Sequence, residues 1–305
     1  MTDAMPLLIL AGGTPQGSNA RGAPAGDTLV GVKGALPLPS GRPLVAEVAH
    51  RYVASGRFQR PILIGPRDAY AALTKEYEVI HVTGSLARSL TCAAAVMRDR
   101  FGLHGPIAIS TCDILPRAEE IASLLQRYYD PVSDCAFWGQ LVEEDPARLG
   151  SSAWKPGYEF LDEQGRTRHL YPGHLVIARP HTLRLEVAAQ LLHLAYGYRN
   201  QPLPKRVIGM TVRSLGMLLG QDLHRLLRLR LPKLTCAIPF HCLRAYRAYR
   251  QRILTVAGFE RAFTATFVDD AYQTDRATVF AVTDIVSFAR DLDTRAEFDE
   301  ATRGL

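Results

Sequence analysis

Residues 7–10 are four apolar side chains in a row, closed by Ala11-Gly12-Gly13. A run this short with no polar alternation reads as a strand buried on both faces, which happens where helices cover a parallel sheet. The period then changes. Val45, Val48, Ala49, Tyr52 and Val53 recur at helical spacing within 43–55, and Ser55-Gly56 ends that stretch. Further along, the pattern predicts strands at 61–65 and 78–82 with a short helix over 68–77 between them. A helix over 86–101, with Ser85 as its N-cap, leads to a buried strand from 106 that ends near Asp113. A helix over 117–129, a strand over 134–141, a hairpin in 154–166 turning near 163–165 and, within 171–180, a turn and then a strand follow. Strands and helices alternating at these lengths predict a three-layer α/β/α fold with a mostly parallel sheet.

The pattern is different from 181 to 252. Leu183, Val187, Leu191 and Leu194 give one amphipathic stripe, and helices are predicted over 207–219, 223–231 and 242–255. Leucine alternates with basic residues over 223–231, a period that fits a strand, although Leu223, Leu226, Leu227 and Leu231 also fit a helix. Residues 279–285 read as a returning strand. Thr294, with Glu297 three residues on, forms a capping box for a last helix. The expected organisation is an α/β core over 1–180, a helical insertion over 181–260 and a C-terminal return to the core over 261–305.

Composition adds limits. The chain has 305 residues, 47% hydrophobic and 22% charged, which is ordinary for a globular protein. No apolar run approaches a membrane span and no leader pattern is visible, so the cytoplasm is the expected compartment. The five cysteines form no C-x-x-C pair, which predicts free thiols and no zinc site. The net charge of +6 is uneven, because Lys and Arg crowd the stretch 179–252 while acids gather after Val268. Such a stretch faces nucleic acid, an anionic lipid surface, a phosphorylated substrate or simply solvent.

Three stretches carry candidate chemistry. The first is the glycine-rich loop after the first strand, with Arg21 inside it and Lys33 at its end. Glycines let backbone N–H groups approach anionic oxygens, and the cations neutralise them, yet neither the dinucleotide fingerprint nor the P-loop pattern is present. The second is Asp113, at the carboxyl end of a buried strand, where ligands of open α/β sheets sit. A carboxylate there needs a partner: a metal ion, or the N-terminus of the next helix. The third is Asp291-Leu292-Asp293, two carboxylates at i and i+2, which share one side of an extended chain.

Together these stretches resemble the nucleotidyltransferase superfamily, whose members include sugar-phosphate and phosphocholine nucleotidyltransferases and molybdenum cofactor guanylyltransferase. The resemblance lies in Leu8-Ile9-Leu10-Ala11-Gly12-Gly13, Lys33-Gly34-Ala35-Leu36-Pro37-Leu38, Gly41-Arg42-Pro43-Leu44, the strand ending at Asp113, and Asp291 to Asp299. The loop after Gly13 is longer than the family's, and Asp113 is followed by Pro at three residues rather than two. The resemblance implies the Rossmann-like nucleotidyltransferase fold and transfer of a nucleoside monophosphate from a triphosphate to a phosphorylated acceptor, small or lipid-linked, with release of pyrophosphate. It implies nucleotide binding by Leu10, Ala11, Gly12, Gly13, Gly84 and Ser85, and catalysis by Lys33 and Arg21. It also implies magnesium (Mg2+) on Asp113, Asp291 and Asp293, and an acceptor site with Lys155, Gly173 and His174, where His174 donates to the acceptor or is only a polar loop residue. Nucleic acid is not expected as a partner, whereas peripheral membrane contact through the Arg-rich helices is. Two other readings stay open: a catalytically silent nucleotide- or lipid-binding protein, and a glycosyltransferase using a nucleotide sugar.

Overall fold

The computed structural model describes residues 4–12, 29, 31–84, 86–102, 104–145, 157–198, 203–229 and 231–303. Its sheet is built around β1 (Leu7–Leu10). This strand pairs in parallel with β2 (Ile62–Gly65) on one side and β4 (Ile107–Thr111) on the other, and β3 (Glu78–His81) continues beyond β2. All four β1 side chains are buried, and their parity decides what they meet. Leu7 and Ile9 pack with residues of α1 (Leu44–Ala54) and α3 (Ala118–Leu124). Leu8 and Leu10 pack with Ala93, Val96 and Met97 of α2 (Leu86–Phe101). The unbroken apolar run is therefore the signature of a strand covered by helices on both faces.

Beyond β4 the sheet changes direction twice. β8 (Val176–Ala178) runs antiparallel to β4, and β5 (Phe137–Glu143) antiparallel to β8. β9 (Thr278–Thr283) lies parallel to β5, so the C-terminal stretch returns to the sheet. β6 (Tyr158–Leu161) and β7 (Thr167–Pro172) form the expected hairpin, with Gly165 at φ 75° in its turn. β8 pairs with Phe137 and Trp138, and β7 with Leu141 to Glu143, so both lie on one edge of β5. Residues 173–175 make the step between them. Among the described residues seven strands point one way, with β7 and β8 opposed. The three-layer, mostly parallel α/β fold expected from the periodicity is met.

The helices α4 (Leu185–Tyr198), α5 (Leu203–Leu227) and α6 (Leu234–Arg250) share a small core of Val187, Leu218, Leu234 and Ile238. Asp270 ties them down: its carboxylate takes Arg184 at 2.6 Å, Arg225 at 2.7 Å and Lys233 at 3.1 Å, one cation from the start or end of each helix. α7 (Val256–Phe267) lays Phe259 and Phe263 on Phe280 of β9, and α8 (Arg295–Thr302) starts at the predicted capping box of Thr294 and Glu297. No described helix is long and apolar enough to cross a membrane.

Four element expectations are corrected. Residues 68–77 hold 3-10 turns over Arg67–Leu73, broken at Tyr70, because the Tyr70 ring turns into the core. The helix after Arg117 is α-helical only to Leu124 and widens into a π turn over Leu125–Tyr129. There the Tyr128 carbonyl accepts from Trp138 Nε1 and the Tyr129 ring meets Trp138 edge-on. The two helices predicted over 207–219 and 223–231 are one, α5. Asp222 does not end it, because its buried carboxylate accepts from the backbone N–H of Leu234 and Thr235 and caps the next helix instead. That helix, α6, begins at Leu234 rather than 242 and carries Pro239 in its second turn, where a proline removes one hydrogen bond.

Candidate active site

Four separate stretches of chain deliver side chains to one cluster beside the carboxyl ends of β1 and β4. Lys33 opens a 3-10 turn, Lys33–Ala35. Its Nζ donates to Asp293 Oδ1 and lies 3.9 Å from Asp113 Oδ2. Asp113 follows β4 by two residues, and its backbone carbonyl accepts from Leu292 N at 2.8 Å. That bond fixes the 291–293 segment. Leu292 is buried in the core, and the carboxylates on either side of it reach two different partners, Lys33 for Asp293 and His174 for Asp291. His174 sits at the step between β7 and β8, with its backbone N–H bonded to Phe288 O at 2.9 Å. Its Nε2 is 2.6 Å from Asp291 Oδ1, and its Nδ1 is 2.7 Å from Thr111 Oγ1 and 3.6 Å from Asp113 Oδ1.

The protons can be counted. The one hydroxyl proton of Thr111 goes to the acceptor-only carboxylate of Asp113, so Thr111 accepts from His174 Nδ1–H. His174 Nε2 faces the Asp291 carboxylate on its other side. Three carboxyl groups therefore gather around a single lysine and one imidazole, so acidic groups outnumber basic ones in the cluster. Burial pulls the Lys33 ammonium toward neutrality and is the largest single influence on it. Asp113, Asp293 and Asp291 together outweigh that burial, so its pKa stands above the ordinary lysine value.

Close packing around β1 holds this arrangement. Tyr70 donates its hydroxyl to Ala11 O at 2.7 Å, in the loop that leaves β1. A Cβ on Gly34 would lie 2.6 Å from that same Tyr70 hydroxyl and 3.1 Å from Cys112 Sγ, so the turn that carries Lys33 can press this close only as glycine. A Cβ on Gly173 would strike the Gln140 side chain, so the residue before His174 is equally constrained. Gly12 lies against Ser89 of α2, which brings the loop after β1 beside the first turns of that helix, and Gly84 precedes it at φ 105°.

The structure thus brings together Lys33, Asp113, Asp291, Asp293 and His174; Gly173 directly precedes His174, and Leu10, at the end of the strand that leads into Ala11 and Gly12, accepts from the N–H of Cys112 beside Asp113. Gly13, Arg21, Ser85 and Lys155 lie outside the described residues. Asp299, at the end of the resembling segment, is on the exposed face of α8 paired with Arg295. The helix-cap alternative for Asp113 does not hold, because Arg117 is the N-cap of α3 and Glu120 closes its capping box. Thr111 and Tyr70 were not singled out by the sequence. A threonine two residues before a strand-end aspartate was the available signal for the first.

Magnesium is the group implied by the resemblance. Among the described residues no three His, Cys, Asp or Glu side chains stand together as a metal-holding group. The donor set nonetheless fits a hard divalent cation in its chemistry: carboxylate oxygens, two of which already share the Lys33 ammonium. A cluster in which acidic groups outnumber basic ones also repels a triphosphate unless further positive charge joins it.

No protein-family model matches the chain, and no curated protein matches it. Solved structures do. A hypothetical transferase from Thermus thermophilus superposes with a TM-score of 0.58 at 18% identity, over 97% of this chain and 99% of that one. A CMP:2-keto-3-deoxy-manno-octonic acid synthetase solved with CTP gives 0.43 at 13% identity, over 71% and 87%. A mannose-1-phosphate geranyltransferase, also from Thermus thermophilus, gives 0.41 at 14% identity, over 70% and 65%. The first likeness covers nearly the whole of both chains and is a likeness of fold.

Proposed function

We propose that this chain is a cytoplasmic nucleotidyltransferase. An ionised oxygen of a phosphorylated acceptor attacks the α-phosphorus of a nucleoside triphosphate, the bond to the leaving pyrophosphate breaks, and the nucleoside monophosphate ends on the acceptor. The observation that carries this reading is the convergence of Lys33, Asp113, Asp291 and Asp293, from three distant stretches, at the strand ends next to the glycine turn. The acceptor oxygen is already ionised near neutral pH, so the task is positioning and neutralising charge, with no general base required.

Gly12 and Gly13 cradle the phosphates with backbone N–H groups, and Gly84 and Ser85 face the base. Lys33, joined by Arg21, takes the charge that builds on the phosphates. Asp113, Asp291 and Asp293 would hold Mg2+, which when bound neutralises and aligns the phosphate oxygens. His174 aligns Asp113 and Asp291 through its two ring nitrogens, and with Gly173 and Lys155 it borders the acceptor.

The test is pyrophosphate release, measured with each of four nucleoside triphosphates, Mg2+ and a panel of sugar phosphates, phospho-alcohols and lipid phosphates. One triphosphate is expected to give turnover, and Asp113→Asn to lower it at least about a hundredfold. No triphosphate binding in the presence of Mg2+ rejects the reading. Binding or cleavage of a nucleotide sugar without pyrophosphate release assigns the scaffold to glycosyl transfer instead.

A further inference from the structure

The proposed chemistry leaves the α5–α6 hairpin unused, and its outer surface is unusual. Ile208, Val212, Leu219, Leu223 and Leu226 are each half or more exposed, and their spacing puts them in one stripe along α5. The stripe runs on through Leu227, 77% exposed, into the turn at Leu229, 98% exposed. On α6, Phe240, Leu243 and Tyr246 are exposed among Arg244, Arg247 and Arg250. The inward faces of both helices are already satisfied by the core around Leu218, Leu234 and Ile238. Among the described residues nothing covers these outer apolar side chains.

Leu229 adds a separate observation. Its φ is +55°, in the left-handed region where glycine or asparagine ends helices at little cost and a leucine is strained. A leucine both strained and bare to water contributes nothing to this fold that glycine would not contribute better. Arg252, at φ +58° after α6, repeats the pattern with a cation.

Charge identifies the partner. Residues 203–253 contain eleven Lys and Arg and a single acid, Asp222, which is buried as the cap of α6; Arg225 and Lys233 pair with Asp270 and Arg252 with Glu159, while Arg244, Arg247 and Arg250 lie exposed on α6. Two copies meeting through this face would set like charge against like, which opposes self-association. A surface that takes leucines and arginines together must be apolar inside and anionic outside.

We propose that the α5–α6 hairpin docks on an anionic lipid bilayer, with the α5 stripe and Leu229 entering the acyl boundary and the arginines of α6 meeting the headgroups. The inference does not rest on the nucleotidyltransferase reading and survives its failure. The experiment is vesicle flotation of the full chain at low salt, with phosphatidylcholine alone or with about a third phosphatidylglycerol. Partition is expected to be at least about tenfold stronger on the anionic vesicles and to fall in about 0.5 M salt. Arg244→Glu with Arg247→Glu should lower it about tenfold. Leu229→Gly gives the sharper readout. It should raise the melting temperature, because strain is relieved, while weakening vesicle partition about fivefold to tenfold. Absence of binding to anionic vesicles at low salt overturns the proposal. So does Leu229→Gly binding as well as the parent, or a dimer in sedimentation that is abolished by Leu223→Gln with Leu227→Gln.

Discussion

Lys33 is the residue on which the charge balance turns. It is the only side chain that meets both Asp113 and Asp293 among the described residues, and removing its ammonium takes away the cation those two carboxylates share. Lys33→Met should therefore cost about 10²–10³ in turnover, with a raised apparent KM for the triphosphate and a steeper dependence on magnesium concentration. Steady-state pyrophosphate release across a magnesium series checks this; an unchanged magnesium dependence would remove Lys33 from the proposed phosphate site. The acids of this cluster were legible in the sequence for physical reasons. A carboxylate ending a buried strand has to find charge, and two acids flanking one leucine on an extended segment turn the same way while the leucine turns inward. The side chains that answer them were harder to see. His174 read as an acceptor residue or an ordinary loop residue, because the step between β7 and β8 that aims it at Asp113 and Asp291 exists only once both strands have paired with their neighbours. Thr111 is one of several polar residues near strand ends until His174 arrives 63 positions later to share its hydroxyl.

Among elements, the sheet was the most legible part, because burial on both faces removes polar alternation and leaves a plain apolar run. The helical stretch was less so. α5 runs through Gly220-Gln221-Asp222, where local preference predicts a break, because Asp222 is engaged by α6. α7 had no expectation at all: its Phe, Thr and Gly residues are poor helix formers, and its helix depends on Phe259 and Phe263 packing on Phe280. The element that matters most for the site is the shortest one, the turn Lys33–Ala35, wedged by Gly34 against Tyr70. Gly34→Ala should destabilise the chain by about 1–3 kcal/mol, since its Cβ would lie 2.6 Å from the Tyr70 hydroxyl. Tyr70→Phe alone should cost about 1 kcal/mol, the price of leaving Ala11 O without its donor. The two together should be less harmful than their sum, because the phenyl ring makes room for the methyl. Urea unfolding of the four proteins gives the coupling, and strict additivity would mean that the turn and Tyr70 do not press on each other.

At the scale of the whole molecule, proton binding by buried thiols and phenols sets an alkaline limit on the fold. Burial, with Asp113 adding to it, pushes the Cys112 thiol up to about 12, and burial with Asp134 does the same to Cys135. Burial also raises the Tyr129 phenol to about 12. In the unfolded chain a thiol releases its proton near about 8.5 and a phenol near about 10. The folded state holds these protons more tightly, so stability is complete below about pH 8.5 and declines as pH rises toward about 12, at about 1.4 kcal/mol per pH unit for each group that is protonated only in the folded state. Lys33 acts in the same sense but later. Its raised pKa contributes stability below the ordinary lysine value, and that contribution is lost as pH climbs through the folded one. The urea midpoint should thus fall steadily between about pH 9 and 11, and Cys112→Ala with Cys135→Ala should flatten the first part of that fall; a midpoint that does not move over this range would contradict the assignment. Cys112 bonds through its N–H to Leu10 O at the end of β1, and its sulfur lies under Gly34, directly behind Lys33. In the folded chain Cys112 keeps its proton up to about pH 12, so its ionisation follows unfolding rather than preceding it; triphosphate binding at the proposed site and the fold should therefore be lost together when both are measured on the same alkaline series, and binding lost well before unfolding would contradict the assignment.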